Sequence, residues 1–137
     1  MDRTAYAIAS LSALLALTND AHADESLTAT LQCDRAVEPG RLRCTVEARA
    51  ASGRTLQWAD VVVIELPELA QALKGRLAQG DSISRDATTE RWAFGLVAKR
   101  AGEGTAKVRV RAVVCEGDAG AHCTTVTAEA VTILHVG

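Results

Sequence analysis

Thr105-Ala-Lys-Val-Arg-Val-Arg-Ala-Val-Val-Cys115 decides the fold class. Ala106, Val108, Val110, Ala112 and Val114 fall on one side of an extended chain. Lys107, Arg109, Arg111, Val113 and Cys115 fall on the other. Successive side chains of a strand point to opposite faces, so this period of two spells a strand with one buried and one solvated face. Gly102-Glu-Gly104 before it is a turn, and Arg91–Lys99 alternates again, with Trp92, Phe94, Leu96 and Ala98 on one face. Downstream, Cys123–Val136 begins with Cys123, Thr125, Thr127 and Glu129 opposite Val126, Ala128 and Ala130. Burying both Val131 and Ile133 requires a slip of parity, so a bulge is expected near Val131.

The same period runs toward the N-terminus. Leu27, Ala29, Leu31 and Cys33 share a face, as do Leu42, Cys44, Val46 and Ala48, with the turn signal Val37-Glu-Pro39-Gly40 between them. Thr55–Leu66 is a third strand, whose apolar end Val61–Ile64 suggests burial on both faces. After Pro67, Leu69, Ala70, Leu73 and Leu77 fall at helical spacing, which predicts one short helix at about 67–75. The polar stretch Gln79–Glu90 reads as a loop with a short edge strand. Strands joined by turns predict an all-β, immunoglobulin-like antiparallel sandwich of about seven strands.

The first residues follow another pattern. Arg3 precedes an apolar run, Ala7–Leu17, and Ala21-His-Ala23 sets small residues one and three positions before a cut. This predicts a secretory signal peptide over residues 1–23 and a single sandwich domain over 24–137. Eleven apolar residues at roughly 1.5 Å each cannot span ~30 Å of hydrocarbon, so no permanent membrane anchor is expected. The chain has 137 residues, 48% hydrophobic, with a formal net charge of −2. That balance disfavours a nucleic-acid partner and a disordered chain. Beyond residue 23 the aromatics are Trp58, Trp92 and Phe94 alone, so the core must rest on aliphatic side chains.

Four cysteines in an exported chain read as disulfides, with three possible connectivities. Cys33 and Cys44 flank one hairpin turn on the apolar face. Cys115 and Cys123 flank another on the polar face. Two local cross-strand bridges, Cys33–Cys44 and Cys115–Cys123, need no rearrangement. The competing antibody-type bridge, Cys44 to Cys115, needs both cysteines to face the core, and Cys115 has the parity of Arg109 and Arg111. The faces predict that Cys33–Cys44 is buried and structural. They predict that Cys115–Cys123 is solvent-facing, either a second structural staple or a bond that exchanges with another thiol, where His122 would lower the thiol pKa and Glu116 and Asp118 would raise it.

The segment Gly104–Val136, with Val113-Val-Cys115 and His122-Cys123, resembles the end of the periplasmic N-terminal domain of DsbD-type thiol:disulfide interchange proteins. The intercysteine segment is longer here, and Thr124-Thr125 stands where that family has an aromatic residue and two prolines. The resemblance implies an immunoglobulin-like sandwich in the periplasm whose redox pair is Cys115 and Cys123.

Other chemistry finds little footing. Cys115, His122 and Cys123 make a poor zinc set, lost once the disulfide forms. No nucleophile elbow or phosphate loop accompanies the carboxylates Glu65, Glu68, Asp81, Asp86 and Glu90, and no cofactor is implied. Two basic stripes remain, Lys107–Arg109–Arg111 and Arg41–Arg43–Arg49. Each reads as a solvated strand face, or as a docking surface for an acidic partner. The sequence thus points to a secreted or periplasmic, non-catalytic binding or assembly module with Lys107, Arg109 and Arg111 as its candidate surface. Its partner is expected to be another exported or membrane protein. The alternative is a thiol–disulfide exchange domain using Cys115 and Cys123.

Overall fold

Residues 25–117 and 122–137 are described by a computed structural model, and the predicted signal segment 1–23 lies outside them. The chain runs through β1 (Leu27–Cys33), β2 (Gly40–Ala50), β3 (Arg54–Glu65), β4 (Ala70–Ala72), β5 (Arg76–Leu77), β6 (Ser84–Arg85), β7 (Thr89–Ala98), β8 (Gly102–Glu116) and β9 (His122–Val136). One sheet has the order β1-β2-β7, with β4 and β6 both on the outer edge of β7. The other has the order β5-β3-β8-β9. Every strand pairing is antiparallel. Lettered in the immunoglobulin manner, β1, β2, β7 and β4 are A, B, E and D, and β3, β8 and β9 are C, F and G. That is the constant-type arrangement, with β5 as an added edge strand.

The antibody disulfide, which joins B to F across the two sheets, is replaced by two bridges within sheets. Cys33–Cys44 joins β1 to β2, and Cys115–Cys123 joins β8 to β9, each between residues directly opposite in register. The core between the sheets is mainly aliphatic. Leu27, Val46 and Leu96 meet Val61, Val108, Val110 and Leu134, all with almost no exposed surface. Trp92 is the largest buried side chain, and its Nε1 donates to the Ala78 carbonyl at 3.1 Å.

The helix expected over 67–75 does not form. A turn closes with the Ala70 amide on the Pro67 carbonyl, and β4 then pairs Ala70, Gln71 and Ala72 with Ala98, Val97 and Leu96. A helix of nine residues is marginal on its own, whereas the outer edge of β7 carries backbone groups that require partners. Leu69 and Leu77 are buried, but Leu73 stays largely exposed beside Gly95. The leucine spacing therefore marks two residues that reach the core separately, Leu69 from the turn before β4 and Leu77 from β5, and one that stays outside.

Nor does β9 bulge at Val131. Its register against β8 is continuous from Glu116↔His122 to Gly102↔Val136, and Val131 and Ile133 stand outside, 53% and 49% exposed. The bulges lie in β3 instead, between Leu56 and Trp58 and between Val63 and Glu65. Burial of Val61–Ile64 on both faces is not seen either. Val61 is buried, while Val62, Val63 and Ile64 are partly exposed. The short edge strand expected within 79–90 is β6. Among the described residues, no helix is long and apolar enough to cross a membrane.

Candidate functional site

The outer face of the β5-β3-β8-β9 sheet gathers most of the chemistry. Register places Asp60 beside Arg111 and Thr127, and Val62 beside Arg109 and Glu129, in rows across β3, β8 and β9. Arg76 on β5 lies opposite Val62. Strand alternation puts an aspartate on this exterior face, yet Asp60 has no exposed surface. Arg111 covers it, donating from Nε to Oδ1 at 2.9 Å and from a terminal nitrogen to Oδ2. Arg76 donates from Nε and a terminal nitrogen to Oδ2, at 3.1 and 2.9 Å. The Arg111 guanidinium also lies over the Trp58 ring, 5.9 Å from its centroid. Paired, forked donors of this kind are the strong form of carboxylate hydrogen bond. Arg111 foremost, then Arg76, holds the Asp60 carboxyl below the ordinary aspartate range against the opposing effect of burial.

The rest of the stripe is paired as well. Arg109 donates to Glu129 Oε1 at 2.8 Å, and Lys107 lies 3.6 Å from Glu129 Oε2. Arg109 foremost lowers the pKa of Glu129. Each predicted cation of the stripe thus has a carboxylate in reach. What solvent meets is nevertheless cationic, because Arg76, Arg109 and Arg111 side chains are 62%, 45% and 41% exposed above Asp60 at 0% and Glu129 at 28%. Glu65, opposite Lys107, and Glu103, opposite His135, are exposed carboxylates at one end of this face. Arg109, Arg111, Thr127 and Glu129 line a shallow groove, and Val131 lies opposite Lys107 at its margin.

The second stripe sits on the outer face of the other sheet. Arg41, Arg43 and Arg49 are exposed, and Arg49 meets Glu47 at 3.0 Å. Two residues of the first cluster escaped the sequence reading. Asp60 had one signal, a lone charge inside the apolar run Trp58–Ile64. Arg76 had none, because its stretch read as the end of a helix.

The cysteines differ from expectation in exposure. Cys44 and Cys115 are both buried, Cys33 is partly exposed and Cys123 is exposed. The contrast between a buried and a solvent-facing bridge is therefore replaced by two bridges with one buried cysteine each. Cys115 keeps the outward parity of Arg111, but it lies between Thr55 on β3 and Cys123 on β9, and these neighbours flank it. His122 is exposed, and Asp118, expected to act on the same thiols, lies outside the described residues. His135 pairs across the strands with Glu103 at 2.8 Å. Among the described residues, no three His, Cys, Asp or Glu side chains group as a metal site.

No family model and no curated protein matches the chain. Solved structures of related strand arrangement include BslA, a bacterial hydrophobin. It gives a TM-score of 0.41 at 13% identity, covering 82% of this chain and 95% of that one. The CARDB domain of PF1109 from Pyrococcus furiosus gives 0.41 at 14% identity, covering 81% and 94%. A conjugative transposon lipoprotein from Bacteroides eggerthii gives 0.28 at 12% identity, covering 74% and 94%.

Proposed function

We propose that this chain is an exported, non-catalytic immunoglobulin-like binding or assembly module. In this reading the outer face of the β5-β3-β8-β9 sheet docks an acidic segment of another exported or membrane-held protein. The observation that carries it is the layering of charge: exposed Arg76, Arg109 and Arg111 lie over covered Asp60 and Glu129. Buried Asp60 and partly covered Glu129 fix the guanidiniums in place, which lowers the side-chain entropy lost on binding. Val131 and Ile133 extend the face with apolar surface, and an interface needs both kinds of contact. Export is supported by the leader-like pattern over residues 1–23 and by two disulfides, which persist in oxidising compartments.

A polyglutamate peptide is a suitable probe. Its affinity should fall at least tenfold in the double variant Lys107→Glu with Arg109→Glu, and should weaken as salt rises. Equal affinity in both proteins would count against this face.

Thiol–disulfide exchange at Cys115–Cys123 is the second reading, supported by the resemblance to the DsbD-type domain and by the exposure of Cys123. It requires an incoming thiolate to attack at Cys123, with Cys115 as the leaving thiolate. A reduction potential for this bond below about −300 mV marks a structural staple, and a value near −200 mV marks an exchanging pair.

A further inference from the structure

Glu90 is the second residue of β7 and shares the core face with Trp92 and Phe94. It has no exposed surface, and among the described residues neither carboxylate oxygen has a hydrogen-bond partner. A buried carboxylate without donors is costly, so such a group favours its neutral form. A hydroxyl beside a carboxylate ordinarily lowers its pKa. The Ser82 hydroxyl near Glu90, however, gives its proton to the Gln79 carbonyl at 3.0 Å. Its lone pairs suit a protonated Glu90 and not the anion. Burial foremost raises the pKa of Glu90, and the Ser82 hydroxyl and then the Arg85 charge oppose this.

Residues 78–88 run past this carboxyl as a strap, with the Ser82 hydroxyl beside it and Arg85 opposite Glu90 in register. The chain leaves β5 in one sheet, crosses to β6 in the other, and returns to touch β3. Its ties to the sandwich run from Trp92 Nε1 to the Ala78 carbonyl, from the Ile83 amide to Arg91 within the two-residue pairing of β6 with β7, and from the Leu56 and Ala50 amides to the Ala87 and Thr88 carbonyls. Exposed side-chain contacts add to these: Gln79 and Arg85 donate to the Gln57 carbonyl, and Lys74 pairs with Asp81. Neither disulfide holds the strap. Ala48 on β2 lies opposite Glu90, and the nearby residues of β3, Leu56 and Gln57, are uncharged. Arg54 is paired with Glu116. Asp86 accepts from the Thr88 and Thr89 amides, and Arg49 is exposed. Arg85 is therefore the charged group set against Glu90, opposite it in register.

We propose that Glu90 is a proton-operated latch: protonated, it lets the 78–88 strap close over the sandwich flank, and ionised, it releases the strap from β7. Release would bare the Trp92 indole and the edge of β7 around Arg91. The latch does not depend on the docking face proposed above, which lies on the other sheet.

Amide hydrogen exchange between pH 4 and 8, corrected for intrinsic rates, tests this on the intact chain. The closed strap binds the proton more tightly than the open one. The opening constant of the Ile83 amide should therefore rise up to tenfold per pH unit from the ordinary glutamate pKa to the raised one, then level off. The Val108 and Val110 amides should not follow. In Glu90→Gln the Ile83 profile should be flat. A wild-type profile identical to the variant's, or one in which strap and core amides open together, overturns the latch. Should Glu90→Gln fail to fold, carbon-13 titration of the Glu90 carboxyl in the unaltered chain decides, and titration within the ordinary glutamate range sinks the proposal.

Discussion

Asp60 and Arg111 stand opposite each other on β3 and β8, and the arginine meets both oxygens of an aspartate that has no exposed surface. The pair converts an exterior sheet face into a fixed cationic one. Asp60→Asn should leave two guanidiniums without their anion and lower unfolding free energy by about 1.5–3 kcal/mol. Arg76→Ala should cost less, since Arg111 still holds the carboxylate. Because the folded pKa of Asp60 is lowered, its contribution is present above the unfolded aspartate pKa and is lost as pH falls through the folded one. Urea unfolding at several pH values should show wild type and Asp60→Asn converging in acid.

Glu90 acts with the opposite sign. Its folded pKa is raised, so stability falls as pH climbs from the ordinary glutamate value through the raised one. Glu90→Leu removes the unpartnered carboxyl and should raise unfolding free energy by about 1–3 kcal/mol at pH 7, with a smaller gain at pH 4. Thermal melts at both pH values check this. A loss of stability at pH 7 would show that the carboxyl has partners that support the fold.

The two disulfides should contribute alike. They close 11- and 8-residue steps, and each has one buried cysteine. On the chain-entropy view each is worth about 2.5–3 kcal/mol. Replacing Cys33 and Cys44 together, or Cys115 and Cys123 together, by alanine should lower Tm by similar amounts. The unequal losses that a face-based reading expects would argue against this equivalence.

Gly104 faces the Pro67 ring so closely that a Cβ there would lie 2.3 Å from the proline Cβ. The ring is tied to its backbone and cannot swing away. Gly104→Ala should therefore destabilise by about 1–3 kcal/mol. Unchanged unfolding in denaturant would mean that the 66–69 turn shifts freely.

Much of this was legible as alternation. Ala106–Val114 against Lys107–Cys115 set β8, and cysteines flanking turns set both bridges, because strand period and hairpin register are local properties. What escaped depends on neighbours distant in sequence. The leucines from Leu69 to Leu77 read as helical because nothing local reveals the open edge of β7 that claims Ala70–Ala72. Glu90 read as the end of a polar loop, although its parity with Trp92 and Phe94 was a sign that it faces inward. Cys115 read as exposed because parity gives the face of a strand, not how closely Thr55 and Cys123 flank it.

The docking face is tested most directly by mapping amide shifts during titration with polyglutamate. Shifts should cluster at Val62, Lys107, Arg109, Arg111 and Thr127, and should vanish in Lys107→Glu with Arg109→Glu. Shifts centred instead on Arg41, Arg43 and Arg49, on the outer face of the other sheet, would contradict the assignment.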